Sequence, residues 1–143
     1  MIIEGEPMLT PGEVSQPAHM IFINESGDND TIVLSIRGTQ SLGDCLSDCM
    51  CDLVPLNDAV EKLKETAFKG QEEPVEVETP EALCHQGMLD AAVWLLERHG
   101  VRLKAHHEAG KKIFVTGHSM GAGTAALVAV LLQAFKIPAQ GVA

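Results

Sequence analysis

Residues Gly117-His118-Ser119-Met120-Gly121 set a serine between two glycines in the pattern G-x-S-x-G. A serine hydroxyl is a poor nucleophile until a base takes its proton and amide donors receive the charge that develops on the substrate. The pattern answers part of that need. It calls for a serine on a tight strand-to-helix turn, with strained backbone, so that its oxygen points away from the sheet. Residues two before and two after then come so close that a β-carbon would clash, which accounts for glycine at 117 and 121. The helix that follows aims its N-terminus at the site and favours an anion there. The Met120 amide is the expected donor to the oxyanion of a tetrahedral intermediate. Two plainer readings compete: a glycine-rich turn without chemistry, and a phosphate-binding loop, which lacks the G-K-[ST] ending here.

The flanking residues supply the elements such a turn requires. "IFVTG" (113–117) reads as a buried strand and "MGAGTAALVAVLLQAF" (120–135) as a helix apolar almost all round, which belongs inside a larger body. The elbow is thus expected over 113–123, with Gly123, Ala125 and Ala126 letting the helix pack closely on a sheet. Upstream, "HMIFINES" (19–26) and "TIVLSIRG" (31–38) read as a hairpin or two adjacent strands around the turn cluster "GDND". Ile32 to Ile36 is apolar enough for a strand buried on both faces. Leu42, Cys45, Leu46 and Cys49 fall at helical spacing, as in a short amphipathic surface helix. Residues 57–70 form a second helix, with Asn57 or Asp58 as cap and Gly70 as stop. An acidic, solvated loop follows over 69–81, carrying "QEEPVEVETPE". Met88, Ala92, Leu95, Leu96 and Leu103 mark a third helix reaching about His107, disturbed at Gly100. "IPAQGVA" opens a further strand. Residues 1–17, with Pro7, Pro11, Pro17, Gly5 and Gly12, read as an irregular lead-in.

Bulk composition narrows the function class. The 143 residues suit one modest domain, and 45% hydrophobic content with 3% aromatics predicts an aliphatic core. A formal net charge of −10 repels phosphate backbones and argues against nucleic-acid binding. Cysteines 45, 49, 51 and 84 contain no C-x-x-C, so no metal site is expected. The N-terminus has neither the basic nor the apolar region of a secretory signal, which points to reduced thiols in an intracellular setting. The longest apolar stretch, within 122–135, falls short of the roughly 20 residues that span a bilayer.

With the elbow in hand, three segments together resemble a known family. "IVLSIRGTQSLGDCLSDC" (32–49), "CHQGMLDAAVWLL" (84–96) and "IFVTGHSMGAGTAAL" (113–127) are similar, in order and spacing, to the class 3 (fungal-type) lipases, and within them to the sn-1-specific diacylglycerol lipases. The resemblance implies an α/β-hydrolase fold: a mostly parallel sheet flanked by helices, here partial, over residues 18–143. It implies Ser119 as nucleophile and Thr39, after Arg37-Gly38, as the second oxyanion contact beside Met120. It implies a lid over 41–52 that covers an acyl groove and contacts a membrane surface. His85, in H-x-G, would support structure, and His118 would neighbour the nucleophile without being its base. The implied chemistry is cofactor-free hydrolysis of a lipid or acylglycerol ester, in the cytoplasm or at a membrane reached through flanking sequence.

The base is missing from the expected place. In α/β-hydrolases the acid and the histidine follow the serine along the chain. Residues 120–143 contain no Asp, Glu or His, and all six histidines (19, 85, 99, 106, 107 and 118) precede Ser119. The chain is therefore expected to be the front part of a longer domain, cut after the nucleophile helix and nearly inactive alone. Two alternatives stay open. One is a soluble serine esterase or peptidase on the same fold. The other is a non-catalytic lipase-like module that binds lipid or a protein partner.

Overall fold

A computed structural model gives the fold; it describes residues 2–6, 16–25, 30–38, 52–71, 74 and 82–142. Five strands form the main sheet: β1 (Ile2–Glu6), β2 (His19–Asn24), β3 (Thr31–Ile36), β6 (Lys112–Gly117) and β7 (Ala139–Val142), in the spatial order β1-β2-β3-β6-β7. The first three run antiparallel, whereas β3, β6 and β7 run parallel. A separate ribbon pairs β4 (Leu53–Pro55) with β5 (Leu83–His85). Among the described residues three helices connect these pieces: α1 (Leu56–Glu65), α2 (Gln86–Glu108) and α3 (Met120–Ala134).

Strand alternation places the core. Ile21 and Ile23 of β2, Ile32, Leu34 and Ile36 of β3, and Ile113 and Val115 of β6 are all buried. Register puts Ile21 beside Leu34 and Leu34 beside Val115, so one face of the sheet is continuous aliphatic surface. It joins Leu63 of α1, Leu89, Leu95, Leu96 and Leu103 of α2, and Val128, Leu131 and Leu132 of α3 in a single cluster. On the opposite face Thr31, Val33 and Ser35 are only partly covered. The expectation that β3 is buried on both faces is corrected accordingly: its burial has the alternating pattern of a sheet with one closed face.

Other sequence expectations shift at their edges. Residues 2–6 pair with β2 rather than forming an irregular lead-in. The prolines begin only at position 7, so every amide of that stretch can serve a ladder. The cap of α1 is Pro55, whose extended backbone starts the helix without a side-chain bond, not Asn57 or Asp58. The Leu56 amide is held instead by the Ala82 carbonyl at 2.9 Å, and Asp58 lies in the first turn. This helix stops at Glu65, and the chain turns onward to Gly70, which has φ +76°.

Helix α2 begins at Gln86 and is continuous through Gly100. The glycine serves packing: a β-carbon there would stand 2.8 Å from Phe68 Cζ. Phe68 is buried and stacks on Phe135 with ring centroids 4.3 Å apart. Two polar ties fix the sheet from outside the site. Lys111 reaches Asp30 and Glu25 at 3.3 and 3.5 Å, joining the start of β6 to the bend between β2 and β3. His19, only 5% exposed, places Nδ1 2.9 Å from the Pro17 carbonyl and Nε2 2.8 Å from His99 Nε2 on α2. Because a carbonyl only accepts, His19 Nδ1 carries a proton, and the neutral pair is bonded when His99 donates to His19 Nε2. Among the described residues no helix is long and apolar enough to cross a membrane.

Candidate active site

The elbow lies where β6 ends beside β3. Gly117 is paired with Ile36, and one residue later the chain bends into α3. Ser119 adopts φ 56° and ψ −127°, a backbone region that side chains other than glycine occupy at a cost. Its hydroxyl makes no capping bond to the helix, and the residue is exposed. The turn is closed on either side of it. His118 C=O accepts the Gly121 amide at 2.9 Å, and Ser119 C=O accepts the amides of Ala122 and Gly123 at 2.9 and 3.4 Å. Met120 is the first helical residue, a position whose N–H has no carbonyl partner within the helix.

Glycines make this bend possible by close backbone approach. A β-carbon on Gly121 would fall 2.5 Å from the Ile36 carbonyl oxygen and 2.9 Å from Gly38 N. One on Gly117 would run into Gly121 and stand 2.8 Å from Ala122 N. Gly38 is the third member: its β-carbon would collide with the His118 carbonyl and lie 3.2 Å from Ser119 Cβ. The end of β3 and the serine turn are therefore in direct backbone contact. Arg37, exposed, is fixed there through its amide, which donates to Ala18 C=O at 2.8 Å.

Gly38, Gly117, His118, Ser119, Met120 and Gly121 thus come together. Thr39 lies outside the described residues, as do residues 41–51 of the expected lid and residues 72, 73 and 75–81 of the expected acidic loop. Cysteines 45, 49 and 51 are outside as well. Asp52, the last lid residue, accepts the Gln86 amide through its carbonyl at 3.1 Å.

His85 is the N-cap of α2, and its Nδ1 accepts the Met88 amide at 3.3 Å. His118 is exposed beside the serine. His106 and His107 sit in the last turn of α2, roughly 30 Å along the helix from His85 at 1.5 Å per residue. Cys84 faces inward from the ribbon, with Sγ 3.5 Å from Val54 C=O, and burial pushes its thiol up from the ordinary range.

Gly123 does not pack on the sheet as expected. The space beside it is taken by Met88, whose Sδ would stand 2.5 Å from a β-carbon there, so this glycine joins α3 to α2. Ala126 is exposed, and Ala125 alone of the three expected small residues is buried. The sequence alone marks Met88 as a helix position and Gly38 as a strand exit, and gives neither a contact with the elbow. Gly38 follows an arginine at a strand end, which signals a sharp exit, but nothing local names the backbone it will touch.

A family profile described as "Lipase (class 3)" matches residues 33–140. Mouse diacylglycerol lipase-beta is 30% identical over 108 residues, covering 73% of this chain and 14% of that protein. The nonglycosylated LIP2 lipase of Yarrowia lipolytica superposes with a TM-score of 0.66 at 21% identity, covering 99% of this chain and 44% of the lipase. The lipase of a fungal lipase–inhibitor complex gives 0.53 at 24% identity, covering 84% of this chain and 38% of that one. The chain therefore spans about one seventh of the mouse relative's length, and less than half of either fungal chain. These likenesses establish the α/β-hydrolase fold, present here in part.

Proposed function

This chain belongs to the class 3 lipase family, and from that premise we propose that it carries the nucleophile, Ser119, of a carboxylic ester hydrolase acting on acylglycerols. One observation supports this most directly: an exposed serine held at φ 56° between a parallel strand and a helix, with glycine backbone on three sides. Ser119 Oγ attacks the ester carbonyl while a base removes its proton. The carbonyl oxygen, now negative, is received by the Met120 amide and by Thr39, the residue after Gly38. The alkoxide leaves with a proton from the same base, and water then releases the acyl group from Ser119. The likeness to diacylglycerol lipase-beta favours a diacylglycerol-type substrate.

No residue from 120 to 143 can act as that base or orient it. In the order usual for this fold the acid and the histidine follow the serine, and on this reading a chain without them turns over little ester. The same absence favours a second reading, a lipid-binding module without catalysis.

Chemical rescue separates the two. The purified chain is treated with a fluorophosphonate, with and without added imidazole as a substitute base, and the adduct is located by peptide mass spectrometry. Imidazole is expected to accelerate labelling at Ser119 and to do nothing in Ser119→Ala. Equal labelling in both proteins, or an adduct elsewhere, would refute the nucleophile. Lipid co-sedimentation without any adduct would favour the binding module.

A further inference from the structure

We infer that Met88 is a positioning residue for Ser119, holding the first turn of α3 at the depth that sets the serine oxygen and the Met120 amide. The inference rests on Ser119 being the nucleophile. Met88 lies in the first turn of α2, its amide bonded to His85 Nδ1 at 3.3 Å. The start of that helix is fixed in turn by the ribbon: Leu53 pairs with His85, and Asp52 C=O accepts the Gln86 amide at 3.1 Å. From this mount the thioether reaches across to α3. A β-carbon on Gly123 would stand 2.5 Å from Met88 Sδ and 3.1 Å from its Cε, so the methionine fills the space a side chain at 123 would need.

Gly123 is one step from the chemistry. Its amide and that of Ala122 both close on the Ser119 carbonyl. Any rise or fall of the helix at 123 is passed through those two bonds to the serine peptide. An unbranched, polarizable thioether suits an irregular gap between two helices. The path runs from Asp52, through His85 and Met88, to Gly123 and Ser119. It connects the end of the expected lid segment to the elbow.

The test uses the whole chain, with imidazole-assisted fluorophosphonate labelling of Ser119 as one readout and backbone amide chemical shifts as the other. Met88→Ala should slow labelling by about ten- to a hundredfold, the scale of a small misplacement of a reacting group. Amide shifts should change at 118–124 while those of β2 and β3 stay in place. Met88→Leu, of similar volume, should remain within about threefold of the parent. Gly123→Ala should also slow labelling, and Met88→Ala/Gly123→Ala should lose less than the product of the single losses, because the new methyl enters the vacated space.

Parental labelling in Met88→Ala, multiplicative losses in the double variant, or Met88→Leu as slow as Met88→Ala would each overturn the inference. Should Met88→Ala not fold, Met88→Leu/Gly123→Ala completes the same cycle. Should the parent show no adduct at Ser119, the nucleophile reading is what fails. The 118–124 amides still decide the positioning claim: movement in Met88→Ala supports it, and no movement overturns it.

Discussion

Replacing Gly121 by alanine places a methyl carbon 2.5 Å from the Ile36 carbonyl oxygen and 2.9 Å from both Arg37 C and Gly38 N. All three obstacles are backbone, and they belong to the strand end that the serine turn rests on, so none can swing aside. In an unobstructed helix the same change gains about 1 kcal/mol in propensity. Overpacking against fixed neighbours costs about 3 kcal/mol, the upper part of the usual range. The difference leaves Gly121→Ala destabilised by about 2 kcal/mol. At about 3 °C per kcal/mol for a domain of this size, the melting midpoint should fall by about 6 °C. Gly123→Ala is the control. It is the same substitution two residues on, but its methyl meets the tip of the Met88 side chain, which can move. There the propensity gain offsets the crowding, and stability should stay within about 0.5 kcal/mol of the parent. Urea and thermal melts followed by far-ultraviolet circular dichroism measure the free-energy change and the midpoint shift in both variants. Equal losses in the two variants, or a Gly121→Ala protein as stable as the parent, would refute the claim that backbone contact with β3 fixes this glycine.

Four further outcomes follow from particular contacts. Ser119→Gly should raise the melting midpoint, since glycine adopts φ 56° freely and relief of that strain is worth about 1 kcal/mol; Ser119→Ala should not. Gly100→Ala should destabilise by about 1–2 kcal/mol, because the Phe68 ring 2.8 Å away is backed by Phe135, and Phe68→Leu in the same chain should recover part of the loss. His99→Ala should cost about 1–3 kcal/mol in urea melts by leaving His19 Nε2 buried without its partner, whereas an exposed substitution such as Glu65→Ala should cost almost nothing. The Cys84 thiol, raised by burial, should resist iodoacetamide until the pH passes the ordinary thiol range, as read by site-resolved mass spectrometry. By linkage, the unfolded thiol ionises first, so Cys84's contribution to stability is complete below that range and is lost as pH rises through it towards the folded value.

The residues from 113 to 135 were legible because the chemistry of the turn is local: a buried strand, two glycines at fixed offsets and an apolar helix lie within one short stretch. Pairing of β2 with β3 was equally open, since the turn cluster between two β-rich runs leaves few alternatives. The ribbon of β4 and β5 was not. Each strand has three residues, the partners are some thirty positions apart, and neither carries a period that singles it out. Strand β1 was hidden by prolines that begin just after it, which gave the whole segment a loop-like composition. Gly100 looked like a helix breaker because propensity is all the sequence offers there. Its real partner, Phe68, is visible only once α1 and α2 are side by side. Gly123 gives no sign of Met88 for the same reason: a small residue announces a close neighbour without saying which.

The pairing of Ile36 with Gly117 has a bearing on how the molecule comes into being. The meander of β1, β2 and β3 needs only neighbours in the chain, so it can assemble early and without help. The bend at Ser119 is different, because its geometry is imposed by backbone about 80 positions upstream, and a loop of that length must close first. Until that happens the serine segment is an ordinary flexible linker with no reason to hold a disfavoured conformation. The φ of 56° at Ser119 therefore depends on a long-range join, and a nascent or damaged chain whose join is open has nothing to hold it there.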